Sequence, residues 1–172
     1  MKFYKKTKKP DIVSLIVILR LVLSPIFFYL VINGYNIAAF IILLAVISTD
    51  YLDGLLVKTL NLKPIFSFYL DPFSDFIFVF VGFSAFIIKE IYPAIVLFLL
   101  LFMFIQFVFS SGLENPVYDP VGKYYGIFLF FVIGITLFLE KNSYNLAFIV
   151  IILISLFSLI SRIIFFKYKK IK

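Results

Sequence analysis

The stretch NIAAFIILLAVISTDYLDGLLV, residues 36–57, joins a long apolar run to two aspartates spaced three residues apart, Asp50 and Asp53. A helix that crosses a bilayer needs roughly 20 mainly apolar residues, and this run has that length. A carboxylate inside such a helix is costly and indicates a functional site by default. A second pair, Asp71 and Asp75, opens the next apolar run.

The apolar pattern continues along the whole chain of 172 residues, of which 64% are hydrophobic. Soluble domains are about 45–50% apolar, so the composition predicts an integral membrane protein. We expect an all-α fold in which one membrane domain, residues 1–172, has six transmembrane helices. The predicted spans are Ile12–Ile32, Asn36–Val57, Asp71–Ile88, Ala94–Ser110, Gly122–Leu139 and Tyr144–Phe166.

The distribution of basic residues predicts the orientation of these spans. Thirteen Lys and Arg residues lie in the N-terminal segment, just after the second and fourth spans, or from Arg162 to the C-terminal end, whereas the alternate loops hold only Lys89 and Lys141. Because cytoplasmic loops carry the excess of basic residues, both termini are expected in the cytoplasm. The loop between the two aspartate pairs is then cytoplasmic too, in a multi-pass protein of the cell membrane.

The absence of histidine and cysteine excludes several classes of enzyme. A Ser-His-Asp triad, a cysteine nucleophile and a histidine-ligated zinc are all impossible in this chain. Acid–base or metal chemistry must therefore use Asp, Glu, Lys, Arg or Tyr.

The four aspartates predict a site for divalent cations. Spacings of three and four residues place each pair on one face of a helix. Because the connection between the pairs is short, we expect the second and third helices to be antiparallel neighbours with their acidic ends together. Four close carboxylates repel one another, and bound cations relieve that repulsion. Oxygen ligands favour Mg²⁺, Mn²⁺ or Ca²⁺, and a pair of ions is suited to orienting phosphates.

Two residues that follow Asp53 on the same predicted helix could serve a ligand. Gly54 has no side chain, which either lets a ligand approach the helix or lets another helix pack closely. Lys58 lies one turn beyond, where it either binds a phosphate or extends to the membrane surface in the usual way.

Polar residues within other spans have two interpretations each. Arg20, inside the first span, either approaches the aspartates or a lipid diphosphate, or forms a buried structural ion pair. Lys123, at the start of the fifth span, either holds an acceptor or lipid phosphate or anchors the helix at the interface. Gln106 and Ser110 either line a cavity or link helices.

Two segments together resemble the signature of the CDP-alcohol phosphatidyltransferase family. They are DYLDGLLVK, residues 50–58, and, after eight further residues, SFYLDPFSD, residues 67–75. The family pattern reads D-x-x-D-G-x-x-A-R, about eight residues, then G-x-x-x-D-x-x-x-D, so all four aspartates and the first glycine match. The segment ILRLVLSP, residues 18–25, is similar to the first helix of the phosphatidylglycerophosphate-synthase branch. The departures are Val57 for alanine, Lys58 for arginine and Ser67 for the second glycine.

The resemblance implies a phospholipid-biosynthesis transferase that displaces CMP from a CDP-linked lipid, based on diacylglycerol or archaeol, by an alcohol acceptor. It implies two Mg²⁺ or Mn²⁺ ions, with Asp75 also acting as the catalytic general base. The implied metal ligands are Asp50, Asp53, Asp71 and Asp75, and the implied nucleotide-binding residues are Gly54, Lys58 and Ser67.

The resemblance also implies a homodimer in the lipid bilayer, and no nucleic-acid partner is expected. Two alternatives remain open at the level of the sequence. One is a catalytically inactive relative, favoured by the changes at Lys58 and Ser67. The other is a divalent-cation transporter, since aspartates within membrane helices also serve ion pathways.

Overall fold

A computed structural model describes residues 11–59, 70–111 and 121–169, and the side chains within 18–49, 72–110, 121–122 and 124–166. In these residues the protein is all-helical, which confirms the predicted all-α fold class. The helices are α1 (Asp11–Ile32), α2 (Asn36–Thr59), α3 (Leu70–Ile88), α4 (Ile95–Ser111), α5 (Gly122–Thr136) and α6 (Tyr144–Lys169), with a short 3₁₀ helix at Lys141–Ser143.

One helix falls on each of the six apolar runs, and the largest differences lie at the ends of α5 and α6. Helix α5 ends at Thr136, although the apolar run continues to Leu139. The N–H of Phe138 bonds the carbonyl of Ile135, a tighter spacing that closes the helix. Helix α6 continues to Lys169, past the predicted end at Phe166. Hydropathy predicts the apolar length, whereas backbone hydrogen bonds decide where the helix ends.

The helices differ in how well they meet the length needed to cross a bilayer. Within the described residues, the segment Lys141–Phe166 is long and apolar enough to cross, with a mean hydropathy of 2.7. The other five helices contain apolar stretches of 10–17 residues there. Large apolar side chains nevertheless point outwards all around the molecule, including Ile37, Phe98, Phe109, Ile127 and Leu146. Such a surface is typical of a protein that contacts lipid.

The core lies where α1, α3 and α5 meet. Phe27, Phe78 and Ile133, one from each helix, are completely buried, and the rings of Phe27 and Phe78 are 5.1 Å apart. A Cβ on Gly82 of α3 would lie 3.2 Å from the side chain of Ile133 and 3.3 Å from that of Phe27. The glycine therefore lets the three helices pack closely, as small residues do between membrane helices.

Helix α1 packs against both α2 and α3, and its contact with α3 is the most extensive between any two helices. The predicted direct packing of α2 against α3 is not found in the described part of the chain. Arg20 and Phe27 of α1 contact α3 instead, and in the described residues α1 and α5 each contact both aspartate-bearing helices.

Two helix ends share the same backbone motif. After α1, the N–H of Tyr35 bonds the carbonyl of Leu30, and Gly34 has a positive φ of 77°. After α3, the N–H of Ile91 bonds the carbonyl of Phe86, and Glu90 has a φ of 59°. Both are Schellman motifs, which need a left-handed residue after the helix and favour glycine there.

Candidate active site

Asp75, on the second turn of α3, is the motif aspartate whose side chain the structure describes. Its Oδ1 accepts a hydrogen bond from Nη1 of Arg20 at 2.7 Å. The Asp75 side chain is 30% exposed, whereas that of Arg20 is completely buried. An oppositely charged group at this distance stabilises the ionised carboxylate.

Arg20 is fixed in α1 by more than this ion pair. Nη1 also donates to Oγ of Ser74 at 3.3 Å, and the hydroxyl of Ser24 donates to the backbone carbonyl of Arg20 at 2.8 Å. A charged group inside a membrane helix needs such partners. Of the interpretations offered for Arg20, the structure places it against one of the motif aspartates; contact with a lipid phosphate stays a prediction.

The other motif residues are described through their backbone. Asp50 and Asp53 lie within α2, three residues apart, and Asp71 lies within α3, four residues before Asp75. Both pairs therefore lie on helical backbone, at the spacing given by the sequence. Gly54 and Lys58 follow on α2, Lys123 lies in the first turn of α5, and Ser67 falls outside the described residues.

No group of three or more acidic side chains is found among those that the structure describes. Three of the four predicted metal ligands lie outside that part of the chain, so the predicted metal ligands and nucleotide-binding residues stay predictions.

A cavity of about 510 Å³ opens beside Asp75, between α3, α4, α5 and α6. Most of its lining is apolar, and Asp75, Gln106, Ser158 and Arg162 are among its polar residues. The cavity is bounded by the first turns of α3 and α5 and by the C-terminal halves of α4 and α6. These four segments are therefore at the same end of the bundle as Asp75. A substrate bound in this cavity would therefore lie next to a carboxylate.

Gln106 lines this cavity, as one of its two interpretations predicted. Its Oε1 is buried, and no hydrogen-bond partner is found for it among the described residues. Buried amide oxygens are normally paired, so this oxygen is suited to accept a hydrogen bond from a ligand.

Arg162 is a site residue that the sequence did not single out. It is almost completely buried, its Nε donates to Oγ of Ser110 at 2.5 Å, and its Nη2 donates to the carbonyl of Phe107 at 3.0 Å. The guanidinium carbon also lies 4.9 Å from the centre of the Phe107 ring. Arg162 thus ties α6 to the end of α4, where a cation complements the helix dipole. Its position inside the predicted sixth span, like that of Arg20 in the first, was the available signal.

The sequence matches the model of a known protein family. The family model for CDP-alcohol phosphatidyltransferase matches residues 11–160, which include both aspartate pairs and Arg20. No curated protein matches the chain.

Members of this family are membrane transferases for substituted phosphate groups, act on a CDP-alcohol and an alcohol acceptor, and are generally dependent on divalent metals. Because the match covers most of the chain and includes the motif that spans α2 and α3, the protein belongs to the CDP-alcohol phosphatidyltransferase family.

Proposed function

We propose that the protein displaces CMP from a CDP-linked lipid by an alcohol acceptor, at the end of the bundle where Asp75 adjoins the cavity. The observation that carries the proposal is the position of Asp75, which belongs to the family motif and also lines a space large enough for a substrate. The lipid part of the substrate is diacylglycerol or archaeol based.

The donor set of the motif fits Mg²⁺ or Mn²⁺. Asp50, Asp53, Asp71 and Asp75 supply only carboxylate oxygens, the ligand type that these hard cations prefer. The partly exposed carboxylate of Asp75 at the cavity edge is consistent with a ligand reached from the cavity. Two bound ions would neutralise the diphosphate and stabilise the charge on the departing CMP.

In the proposed reaction the acceptor oxygen bonds to the phosphorus that bears the lipid, and the phosphorus–oxygen bond to CMP breaks. Asp75 takes the proton of the acceptor hydroxyl, for which a carboxylate within hydrogen-bond reach is needed. Gln106, with its buried Oε1, would accept a hydrogen bond from a second polar group of the substrate.

The nucleotide would lie along the end of α2, with Gly54 and Lys58 beside it, and Ser67, further along the chain, would contact it too. Lysine lacks the forked geometry with which the family arginine binds a phosphate. We therefore propose that this pocket binds the nucleotide through charge more than through paired hydrogen bonds. Lys123, in the first turn of α5, would hold a phosphate of the lipid or of the acceptor.

We also propose that all six helices cross the membrane, that both termini and the site face the cytoplasm, and that the protein forms a homodimer. The distribution of Lys and Arg supports the orientation. A cytoplasmic site suits a water-soluble nucleotide product and a lipid that enters sideways from the bilayer.

A binding experiment tests the proposal without knowledge of the acceptor. Purified protein should gain thermal stability from CDP or CMP at roughly millimolar concentration, and only when Mg²⁺ or Mn²⁺ is present, because ligands that bind the folded state stabilise it. Cytidine is the control, since it lacks the phosphates. Absence of any metal-dependent shift, together with metal flux into liposomes, would favour the transporter instead.

A further inference from the structure

The carboxylate of Asp75 has two different neighbours. It lines the cavity, whereas its partner Arg20 is completely buried and is not among the cavity-lining residues that the structure describes. A substrate in the cavity therefore meets Asp75, and the Arg20 guanidinium lies behind that carboxylate, shielded from the cavity.

The position of Arg20 is set by several independent contacts. Its guanidinium bonds both Asp75 and Ser74 of α3, and its backbone carbonyl accepts a bond from Ser24. About two turns further along α1, Phe27 packs on Phe78 of α3, with 5.1 Å between the ring centres. Helix α1 is thus held firmly against α3, and Arg20 has little freedom to move its charge.

We propose that Arg20 is a positioning residue for Asp75. The arginine holds the Asp75 carboxylate in the orientation that receives the proton of the acceptor hydroxyl. The inference rests on the proposed function, in which Asp75 is the general base. It differs from the prediction that Arg20 contacts a lipid or acceptor phosphate, because here the guanidinium has no exposed surface and bonds Asp75 and Ser74.

The physical basis is that proton transfer depends on the placement of the base. A displacement of about 1 Å in a reacting group lowers the rate by roughly 100-fold. Without Arg20, the Asp75 side chain would lose the 2.7 Å bond from the guanidinium and would sample other rotamers. The protein would still bind both substrates, because Asp50, Asp53 and Asp71, the other three proposed metal ligands, are unchanged.

The test measures CMP release by Arg20→Met and Arg20→Lys in the presence of Mg²⁺. For Arg20→Met we expect kcat to fall by about 100-fold, with the KM for the CDP-linked lipid changed by less than about threefold. Arg20→Lys should recover part of kcat, because it restores a positive charge near Asp75. The nucleotide-dependent thermal shift should be retained in both variants.

Lys89→Met is the matched control. Lys89 also links the region of α3 to α1, through a bond from its Nζ to the carbonyl of Val31 at 3.1 Å, but it lies just past the end of α3 opposite to Asp75, so kcat should stay near that of the wild-type protein. A second measurement uses stability alone: adding Asp75→Asn to Arg20→Met should raise the melting temperature, since the carboxylate that has lost its Arg20 partner is then removed.

The outcomes separate the two proposals. If the wild-type protein releases no CMP with any acceptor, the proposed function fails, and the positioning role fails with it. If the wild-type protein is active and Arg20→Met mainly raises the KM for the lipid, Arg20 is a substrate ligand and the inference is overturned. An unchanged kcat would make the ion pair purely structural. Should Arg20→Met not fold, a lower kcat at unchanged KM in Arg20→Lys supports the inference, and wild-type kinetics contradict it.

Discussion

Asp75 and Arg20 show how far the sequence predicts the behaviour of single residues. The spacing of Asp71 and Asp75 is visible along the chain, and the 3.6-residue repeat of a helix is enough to put both on one face. The partner of Arg20 is not visible, because 55 positions separate it from Asp75. Only the packing of α1 against α3 brings the two charges to 2.7 Å.

Arg162, which also lines the cavity, shows the same difference between what the sequence predicts and what the structure adds. Its charge inside an apolar run is evident from the sequence, but its bonds to Ser110 and to the Phe107 carbonyl depend on how α6 lies against α4. The sequence thus shows which positions carry unusual residue types, and tertiary packing decides their partners.

Replacement of Asp75 by asparagine should remove catalysis while the nucleotide still binds. An amide cannot take the proton of the acceptor hydroxyl, so CMP release should fall by at least about 100-fold. The metal-dependent thermal shift with CMP should remain measurable. Asp11→Asn, an aspartate outside the motif, serves as the matched control. Turnover by Asp75→Asn close to the wild-type rate would rule out the assigned role.

Helix ends are where the sequence and the structure differ most. The turn at Gly34 is predictable because glycine favours the left-handed conformation that closes a Schellman motif. The same motif at Glu90 carries no such signal, since glutamate is not typical of that position. The end of α3 at Ile88 was predicted from the sequence, whereas the geometry of the turn that follows depends on backbone hydrogen bonds for which the side chains give no signal.

Glu90→Gly should stabilise the folded protein. A left-handed conformation costs a residue with a Cβ about 1–2 kcal/mol, and glycine adopts it without that cost. We expect the free energy of unfolding to rise by about 1 kcal/mol, measured by denaturant or thermal unfolding in detergent. Gly34→Ala is the matched opposite change and should destabilise the protein. A lower stability of Glu90→Gly would show that the Glu90 side chain makes a contribution larger than its strain.

At the scale of the whole molecule, the all-α class follows from composition together with the length of the apolar runs, because runs of roughly 20 apolar residues in lipid satisfy their backbone as helices. The arrangement of the helices does not follow. Sequence proximity favoured α2 beside α3, whereas in the described part of the chain α1 and α5 each contact both of these helices. Arg20 and Phe27 of α1 have their partners on α3.

The proposed topology predicts which ends of the bundle are accessible from outside the cell. Because the chain has no cysteine, single cysteines can be introduced without background. In intact cells a membrane-impermeant maleimide should label Asn142→Cys, which is exposed in the turn between α5 and α6. Lys172→Cys at the C-terminus should be labelled only after lysis. The reverse pattern would place the aspartates on the outer face and contradict the cytoplasmic site.

The most direct test of the central claim is release of CMP from a CDP-linked lipid. Purified protein with Mg²⁺ or Mn²⁺ is supplied with CDP-diacylglycerol or CDP-archaeol and a panel of alcohol acceptors, and free CMP is measured. We expect CMP release that requires both the metal and one class of acceptor, and that is lost when the metal is chelated. If no pairing of lipid and acceptor yields CMP from protein that is folded and loaded with metal, the transferase function is contradicted.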